Sequence, residues 1–297
     1  MTTAPATNPT TTTHKPGHDG WIRQYHEPGG DGPTLVCFPH AGGSAATYHS
    51  LSANLSAGNR VLLVQYPGRQ DRLAEQPVED LRQLADQVVE ALTPWLDGPL
   101  VLFGHSMGSV LAYEVALRLE RRERPGGGPV DLVGVIASGR GAPSVRQDRG
   151  VHLMDDEELT AEMGRLSGTP SVLLSDKDFL ATVIPALRAD FKAVETYQGD
   201  PDGSLRCPLA VYWGDEDGNL AAADMRRWGL HTRSRFSTRL FRGGHFYLQD
   251  REREVVGAVR DDLDAFAAGD PEGDDDTSPF SYAHCGRIPA RPKKVSP

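Results

Sequence analysis

The sequence contains few cysteines. Three occur among 297 residues, Cys37, Cys207 and Cys285, and they lie far apart. Their number and spacing exclude a disulfide framework and the paired ligands of a zinc site, so no bound metal is expected. Scattered cysteines are typical of a protein in a reducing cytoplasm. Cys37 falls inside an apolar run, which predicts a small buried residue rather than a reactive thiol.

Excess basic charge and long apolar runs are also missing. The chain has 31 Lys and Arg against 41 Asp and Glu, a formal net charge of −10. This charge excludes nucleic acid and anionic membranes as partners, because both require a basic surface. No apolar stretch approaches bilayer-spanning length, and the first twenty residues lack the apolar segment of a secretion signal. We expect a cytoplasmic protein and a monomer.

Two stretches lack the composition of a folded domain. Residues 1–20 are rich in Thr and Pro, while residues 268–297 begin with a run of Asp, Gly and Pro and end in a basic tail. Both tails are predicted to be disordered, with a docking role as the alternative for the second. They account for part of the low hydrophobic content, 38%. One domain, residues 21–267, remains between them.

Within that domain, short apolar runs alternate with helical patterns. The runs contain Val, Leu and Ile with little polar alternation, which is typical of parallel strands buried on both faces. This alternation predicts an α/β fold, a mostly parallel sheet flanked by helices. The predicted strands are residues 34–38, 60–65, 100–103, 132–138, 209–213 and 238–241. The predicted helices are residues 78–96, 109–123, 224–229 and 252–266.

One long segment interrupts the alternation. Residues 141–206 show no buried-strand pattern, but they contain helical stretches at 155–166 and 176–197. An excursion of this length between two sheet strands predicts a helical lid over the active site. The alternative is a packing extension away from the chemistry.

A possible nucleophile lies after the third predicted strand. Residues 104–108 read Gly-His-Ser-Met-Gly, the G-x-S-x-G pattern, between an apolar run and a helical segment. A strand, a tight turn and a helix form the context of a nucleophile elbow. The turn holds its central residue in a strained conformation and needs small flanking residues. Ser106 is therefore the predicted nucleophile.

A serine nucleophile needs a base and an orienting carboxylate. In α/β-hydrolases these follow in the chain order serine, acid, histidine. His245 comes after a predicted strand and a glycine pair, which makes it the predicted base. The acid falls in the turn after residues 209–213, where Asp217 is preferred and Asp215 is the alternative.

The tetrahedral intermediate needs backbone N–H donors for its oxyanion. The residue after the nucleophile supplies one of them, hence Met107. The second comes from the loop after an early strand, here residues 38–44, and Ala41 is the predicted donor. His40 in this loop is expected to shape it, with a direct catalytic role as the alternative.

These motifs together resemble the stand-alone, type II thioesterases of modular polyketide and nonribosomal peptide synthesis, in the α/β-hydrolase superfamily. The resemblance spans roughly residues 21–266. It implies the same roles for Ser106, His245 and Asp217, and the same oxyanion donors, Ala41 and Met107. The matching segments are residues 37–44, 66–69, 104–108, 138–140, 166–170, 185–191, 214–217 and 243–248.

The resemblance also implies the substrate. Such enzymes release stalled or aberrant acyl groups from the phosphopantetheine arm of acyl or peptidyl carrier proteins, acting in trans and without a cofactor. An acidic carrier would need a local basic patch on this acidic protein. The candidates are Arg69, Arg72, Arg140 and Arg188, with ordinary surface arginines as the alternative. The alternatives are a general carboxylesterase or lipase that cleaves oxygen esters, and a non-catalytic docking protein.

Overall fold

A computed structural model describes residues 20–165 and 172–269. Almost all of both predicted tails, residues 1–20 and 268–297, lies outside this part, as does the segment 166–170 that carries part of the family resemblance. One seven-stranded sheet forms the centre of the described chain. Its strands are β1 (Ile22–Arg23), β2 (Gly32–Phe38), β3 (Asn59–Val64), β4 (Leu100–His105), β5 (Leu132–Ser138), β6 (Leu209–Gly214) and β7 (Phe236–Phe241).

The sheet is parallel except at one edge. Strands β2 to β7 pair in parallel, while β1 pairs antiparallel with β3. The spatial order is β1-β3-β2-β4-β5-β6-β7, so the chain runs outward from β2 to β3 and then crosses back to β4. Ligands bind such sheets where the connections diverge, here at the carboxyl ends of β2 and β4. The predicted α/β sheet is confirmed, and only the two-residue β1 was missed.

Helices cover both faces of the sheet. Side chains of β2 alternate between the two, since Val36 packs into the cluster that includes α2 and α3, and Cys37 packs into the cluster that includes α1 and α8. This double burial explains why the central strands β2, β4, β5 and β6 carry almost no polar residues. The helices are α1 (His49–Leu55), α2 (Leu81–Leu92), α3 (Met107–Leu119), α4 (Asp156–Arg165), α5 (Lys177–Glu195), α6 (Ala222–Arg226), α7 (Tyr247–Asp250) and α8 (Glu252–Ala267).

Two helices have different ends from those that the hydrophobic periodicity predicts, and in the first of them a capping aspartate and a proline account for the difference. The helix predicted at 78–96 begins at Leu81, because the Asp80 side chain accepts the N–H of Gln83 and caps the first turn. The α-helix ends at Leu92, and Pro94 lies in the 3₁₀ turn that follows. The helix predicted at 224–229 is instead α6 followed by a 3₁₀ turn, Arg227–His231.

The segment between β5 and β6 contains α4 and α5, close to the two helices predicted there. It has a small apolar cluster of its own, Val151, Leu159, Ile184 and Leu187. Asp176 caps α5 by accepting the N–H groups of Asp178 and Phe179. None of the helices in the described ranges combines the length and the apolar character needed to cross a bilayer.

Candidate active site

Ser106 lies in the turn between β4 and α3. Its backbone adopts φ 56° and ψ −118°, a conformation that costs a residue with a side chain about 1–3 kcal/mol. The flanking glycines make the turn possible: a Cβ on Gly104 would lie 1.9 Å from the Gly108 carbonyl oxygen, and one on Gly108 would lie 2.0 Å from that of Phe38. The Ser106 N–H donates to Ser138 O over 2.8 Å, which fixes the turn against β5.

His245 and Asp217 form a direct pair. Nδ1 of His245 lies 2.6 Å from Oδ2 of Asp217, whose side chain is 1% exposed. Oδ1 of Asp217 accepts the backbone and side-chain N–H groups of Asn219. Burial raises the pKa of Asp217, but the hydrogen bond and charge of His245 and the bonds from Asn219 outweigh burial, so the net pKa is lowered. An ionised Asp217 keeps the proton on Nδ1 and leaves Nε2 of the neutral ring as an acceptor.

The structure separates the two candidate acids. Asp215 accepts the N–H of Gly243 over 2.9 Å and is exposed, so it supports the turn that leads to His245. Asp217, in contrast, contacts the imidazole itself. The geometry thus favours Asp217 for the orienting role, which stays a prediction.

Rings from the end of β4 and from the loops after β2 and β7 meet beside Ser106. The ring of His105, the residue before Ser106, lies 5.0 Å from that of His245, measured between centroids. Phe246 lies 4.8 Å from His40 and 5.6 Å from His105. Ser106, His245 and Asp217 therefore lie at one sheet edge. Among the hydrogen bonds of the described residues, none joins Ser106 Oγ to His245 Nε2, and free enzymes often close this bond only around substrate.

The predicted oxyanion donors flank the same place. Met107 is the first residue of α3, where helix N–H groups have no partner within the helix. Ala41 lies in the turn after β2, which closes through a bond from Gly43 N to His40 O over 2.9 Å. No hydrogen bond of the described chain uses the Ala41 N–H.

Two further histidines lie beneath the site. Burial, followed by the charges of His245 and Arg69, lowers the pKa of His40 to about 3. Burial, with smaller contributions from His245 and His40, holds the pKa of His105 well below its ordinary value. Both rings therefore remain neutral near pH 7, and because they bind a proton so weakly they are poorer bases than an ordinary histidine.

A buried chain of hydrogen bonds under His245 was missed from the sequence. Nδ1 of His105 lies 2.8 Å from Ser138 Oγ, which lies 2.6 Å from the Tyr247 hydroxyl. Tyr247 follows His245 by two residues, so this chain supports both the serine turn and the histidine loop. The positions of His105 within the elbow and Tyr247 beside the base were the available hints.

One acidic cluster has the composition of a metal site. Ligand atoms of Asp148, His152 and Glu195 lie within 4.8 Å of one another. Both Glu195 oxygens, however, already accept hydrogen bonds: Oε1 from the N–H groups of Arg149 and Val151, Oε2 from the N–H and ring of His152. The Glu195 carboxylate therefore holds the loop at residues 149–152 of the insertion, which explains why these side chains lie together.

The predicted basic patch is wrong. Arg69 and Arg72 are buried, and the other two candidates are committed to partners within the protein. These arginines are engaged within the protein and do not form a free basic patch, although Arg188 keeps 31% of its side chain exposed. The pairs are Arg69 with Asp190, Arg72 with Glu75, Arg188 with Asp156, and Arg140 with the carbonyl of Val194.

The sequence pattern described as the thioesterase domain matches residues 33–263. The chain belongs to the thioesterase family. The thioesterase is 46% identical to a probable cadicidin biosynthesis thioesterase of Streptomyces griseus, over 84% of this chain and 68% of the relative. It is 44% identical to thioesterase PikA5 of Streptomyces venezuelae, over 82% of this chain and 85% of the relative.

One solved structure matches the thioesterase over almost the whole length of the solved chain. This is the type II thioesterase BorB from the borrelidin biosynthetic cluster, with a TM-score of 0.76, 42% identity, and coverage of 84% of this chain and 99% of that chain. The predicted α/β-hydrolase fold and the resemblance to type II thioesterases are thereby confirmed. As a member of this family, the thioesterase is a serine hydrolase that acts on thioesters.

Proposed function

We propose that this thioesterase hydrolyses acyl groups from the phosphopantetheine arm of acyl or peptidyl carrier proteins. It would act in trans on a polyketide or nonribosomal peptide synthase and remove stalled or aberrant acyl units. The relatives named for cadicidin and borrelidin biosynthesis support this substrate class. The observation that carries the catalytic part is the 2.6 Å bond between His245 and the buried Asp217, at the sheet edge where Ser106 forms its strained turn.

In the proposed reaction, Nε2 of His245 accepts the Ser106 hydroxyl proton as Oγ attacks the thioester carbonyl. The N–H groups of Ala41 and Met107 stabilise the oxyanion. The C–S bond then breaks, and the pantetheine sulfur leaves with the proton held by His245. An acyl-Ser106 ester remains. Water, deprotonated by the same histidine, attacks this ester and releases the free acid, so the reaction needs only side chains, backbone donors and water.

The orientation of His245 matters because an imidazolium forms at each attack. The buried carboxylate of Asp217 stabilises that charge where water is largely excluded. Each oxyanion donor adds about 3 kcal/mol of transition-state stabilisation, since its removal typically costs a hundredfold or more in rate.

The insertion between β5 and β6 is proposed as the lid under which the acyl chain enters. Its helix α5 reaches the turn after β2, where Leu187 lies against Gly42. Asp190 of the same helix accepts the Gly42 N–H over 2.8 Å. A helix that touches the oxyanion turn supports a lid at the site rather than a packing extension away from it.

The deciding experiment is mass spectrometry of a panel of acyl-loaded carrier proteins after incubation with the enzyme, with Ser106→Ala as the matched control. We expect free acid and holo-carrier from the wild type and intact thioester from the variant. Aryl esters of the same acyl groups test the carboxylesterase alternative. Rapid hydrolysis of these esters without release of carrier-bound acyl groups would contradict the proposal.

A further inference from the structure

A buried ion pair joins the insertion to the core beside the site. Arg69 follows β3, and Asp190 lies on α5, 121 positions later. The guanidinium makes two bonds to the carboxylate, of 2.7 and 2.9 Å. The side chains are only 9% and 2% exposed. A planar, bidentate and buried pair fixes the relative position of the two segments much more tightly than a surface ion pair.

The same pair holds both sides of a turn in the oxyanion loop. Oδ2 of Asp190 accepts the N–H of Gly42 over 2.8 Å. Arg69 donates to the carbonyl of Gly43 over 3.0 Å. These residues directly follow Ala41, the proposed oxyanion donor. A glycine pair has many backbone conformations open to it, so outside contacts must select one.

Peptide geometry transmits this selection to the Ala41 N–H. The C=O of His40 and the N–H of Ala41 belong to one planar trans peptide and point in opposite directions. Gly43 N binds the His40 carbonyl over 2.9 Å, so the Ala41 N–H faces away from the inside of the turn. Gly42 has φ +75°, and a Cβ there would lie 2.8 Å from Leu187 Cδ1 of α5. The direction of the Ala41 N–H thus depends on the contacts that α5 makes with Gly42.

The geometry points to Arg69 and Asp190 as positioning residues for the hydrolysis. Together they hold the turn after β2 in the conformation that aims the Ala41 N–H at the oxyanion. This inference rests on the proposed function. It makes α5 part of the catalytic apparatus and not only a cover, and it gives Arg69 a role other than contact with a carrier.

The test must separate positioning from stability. A single substitution such as Asp190→Leu removes the acceptor for the Gly42 N–H, but it leaves the Arg69 charge buried without its partner and also lowers stability. The double variant Arg69→Met with Asp190→Leu removes both charges, so we expect its melting temperature to recover towards the wild type. It still lacks the acceptor for the Gly42 N–H. Lys192→Ala is the matched control, because Lys192 joins the same helix to Glu79 away from the loop.

We expect both Asp190 variants to lower kcat about 10- to 100-fold, because a displaced oxyanion donor loses part of its stabilisation. KM for an acyl-pantetheine substrate should change little, and the pH midpoint of kcat/KM should stay in place because His245 is untouched. A trifluoromethyl ketone analogue, which places an oxyanion in the site, should bind more weakly in proportion to the lost kcat/KM. An amide analogue of the substrate should bind as before. Lys192→Ala should stay within about twofold of wild type.

Recovery of kcat together with melting temperature in the double variant would overturn the inference, because the pair would then be only structural. Unchanged affinity of the ketone analogue in both Asp190 variants would overturn it too. Failure of the wild type to release carrier-bound acyl groups would instead contradict the proposed function. The ketone affinities would still decide the positioning role in that case.

Discussion

The sheet and the insertion are stabilised in different ways. Every residue of β4 is buried, and the strands around it pack into two large apolar clusters. The insertion has one small apolar cluster of its own and packs the end of α5 into the larger core through Ala193 and Val194. It also contains the buried carboxylates of Glu162, Asp190 and Glu195. The proposed catalytic residues project from loops at the edge of the sheet and rest on apolar packing. Where the insertion reaches the site, it adds charged hydrogen bonds from Asp190 to the packing of Leu187.

Changing Ser106 tests the proposed catalytic residues at the edge of the sheet, and it should lower activity more than any other substitution. Ser106→Ala should lower kcat about a millionfold, as loss of a triad serine does elsewhere. The variant should fold normally because nothing in the apolar core changes. Ser106→Gly should be equally inactive but melt at a higher temperature than Ser106→Ala, since glycine removes the strain at φ 56°. Equal melting temperatures would argue against strain in this turn.

Asp217→Asn is expected to have the next largest effect. An amide cannot hold the Nδ1–H tautomer of His245, and the comparable change in a serine protease costs about 10⁴-fold in kcat. Asp215→Asn is the matched control in the same turn and should remain within about tenfold, because this acid contacts only a backbone N–H. Steady-state kinetics on an acyl-pantetheine substrate would measure both. A larger loss from the Asp215 change would reverse the assignment.

The features behind the predicted catalytic residues are local in the sequence. The elbow needs small residues at Gly104 and Gly108, and buried parallel strands leave a plain apolar pattern. Contacts between distant segments leave no such pattern. Nothing near Arg69 indicates that its partner is Asp190 on α5, so its guanidinium was assigned to the surface. The choice between Asp215 and Asp217 likewise depends on which carboxylate turns inward.

Glu195→Gln tests the charged hydrogen bonds of the insertion, and its effect on stability should be local. The carboxylate accepts the N–H groups of Arg149, Val151 and His152, and charged acceptors of this kind contribute about 1.5–3 kcal/mol each. Amide hydrogen exchange should quicken at these three positions while β4 stays protected. Uniform faster exchange across the sheet would show that the insertion and the core unfold as one unit.

The smallest expected effect is a pH dependence of stability. Because the folded-state pKa of Asp217 is lowered, its contribution is fully present above the unfolded-state value of about 3.9 and is lost as pH falls through the folded-state pKa. The difference in free energy of unfolding between wild type and Asp217→Asn should therefore shrink below about pH 4. Urea titrations at several pH values would measure it. A difference that stays constant with pH would contradict the lowered pKa.

In the proposed reaction, Ser106 carries the acyl group between carrier and water. Rapid acid quench of the enzyme with an acyl-loaded carrier, followed by peptide mass spectrometry, tests it most directly. We expect the acyl mass on the peptide containing Ser106 in the wild type. In Ser106→Ala we expect no adduct and an intact thioester. Hydrolysis by Ser106→Ala at the wild-type rate would contradict it.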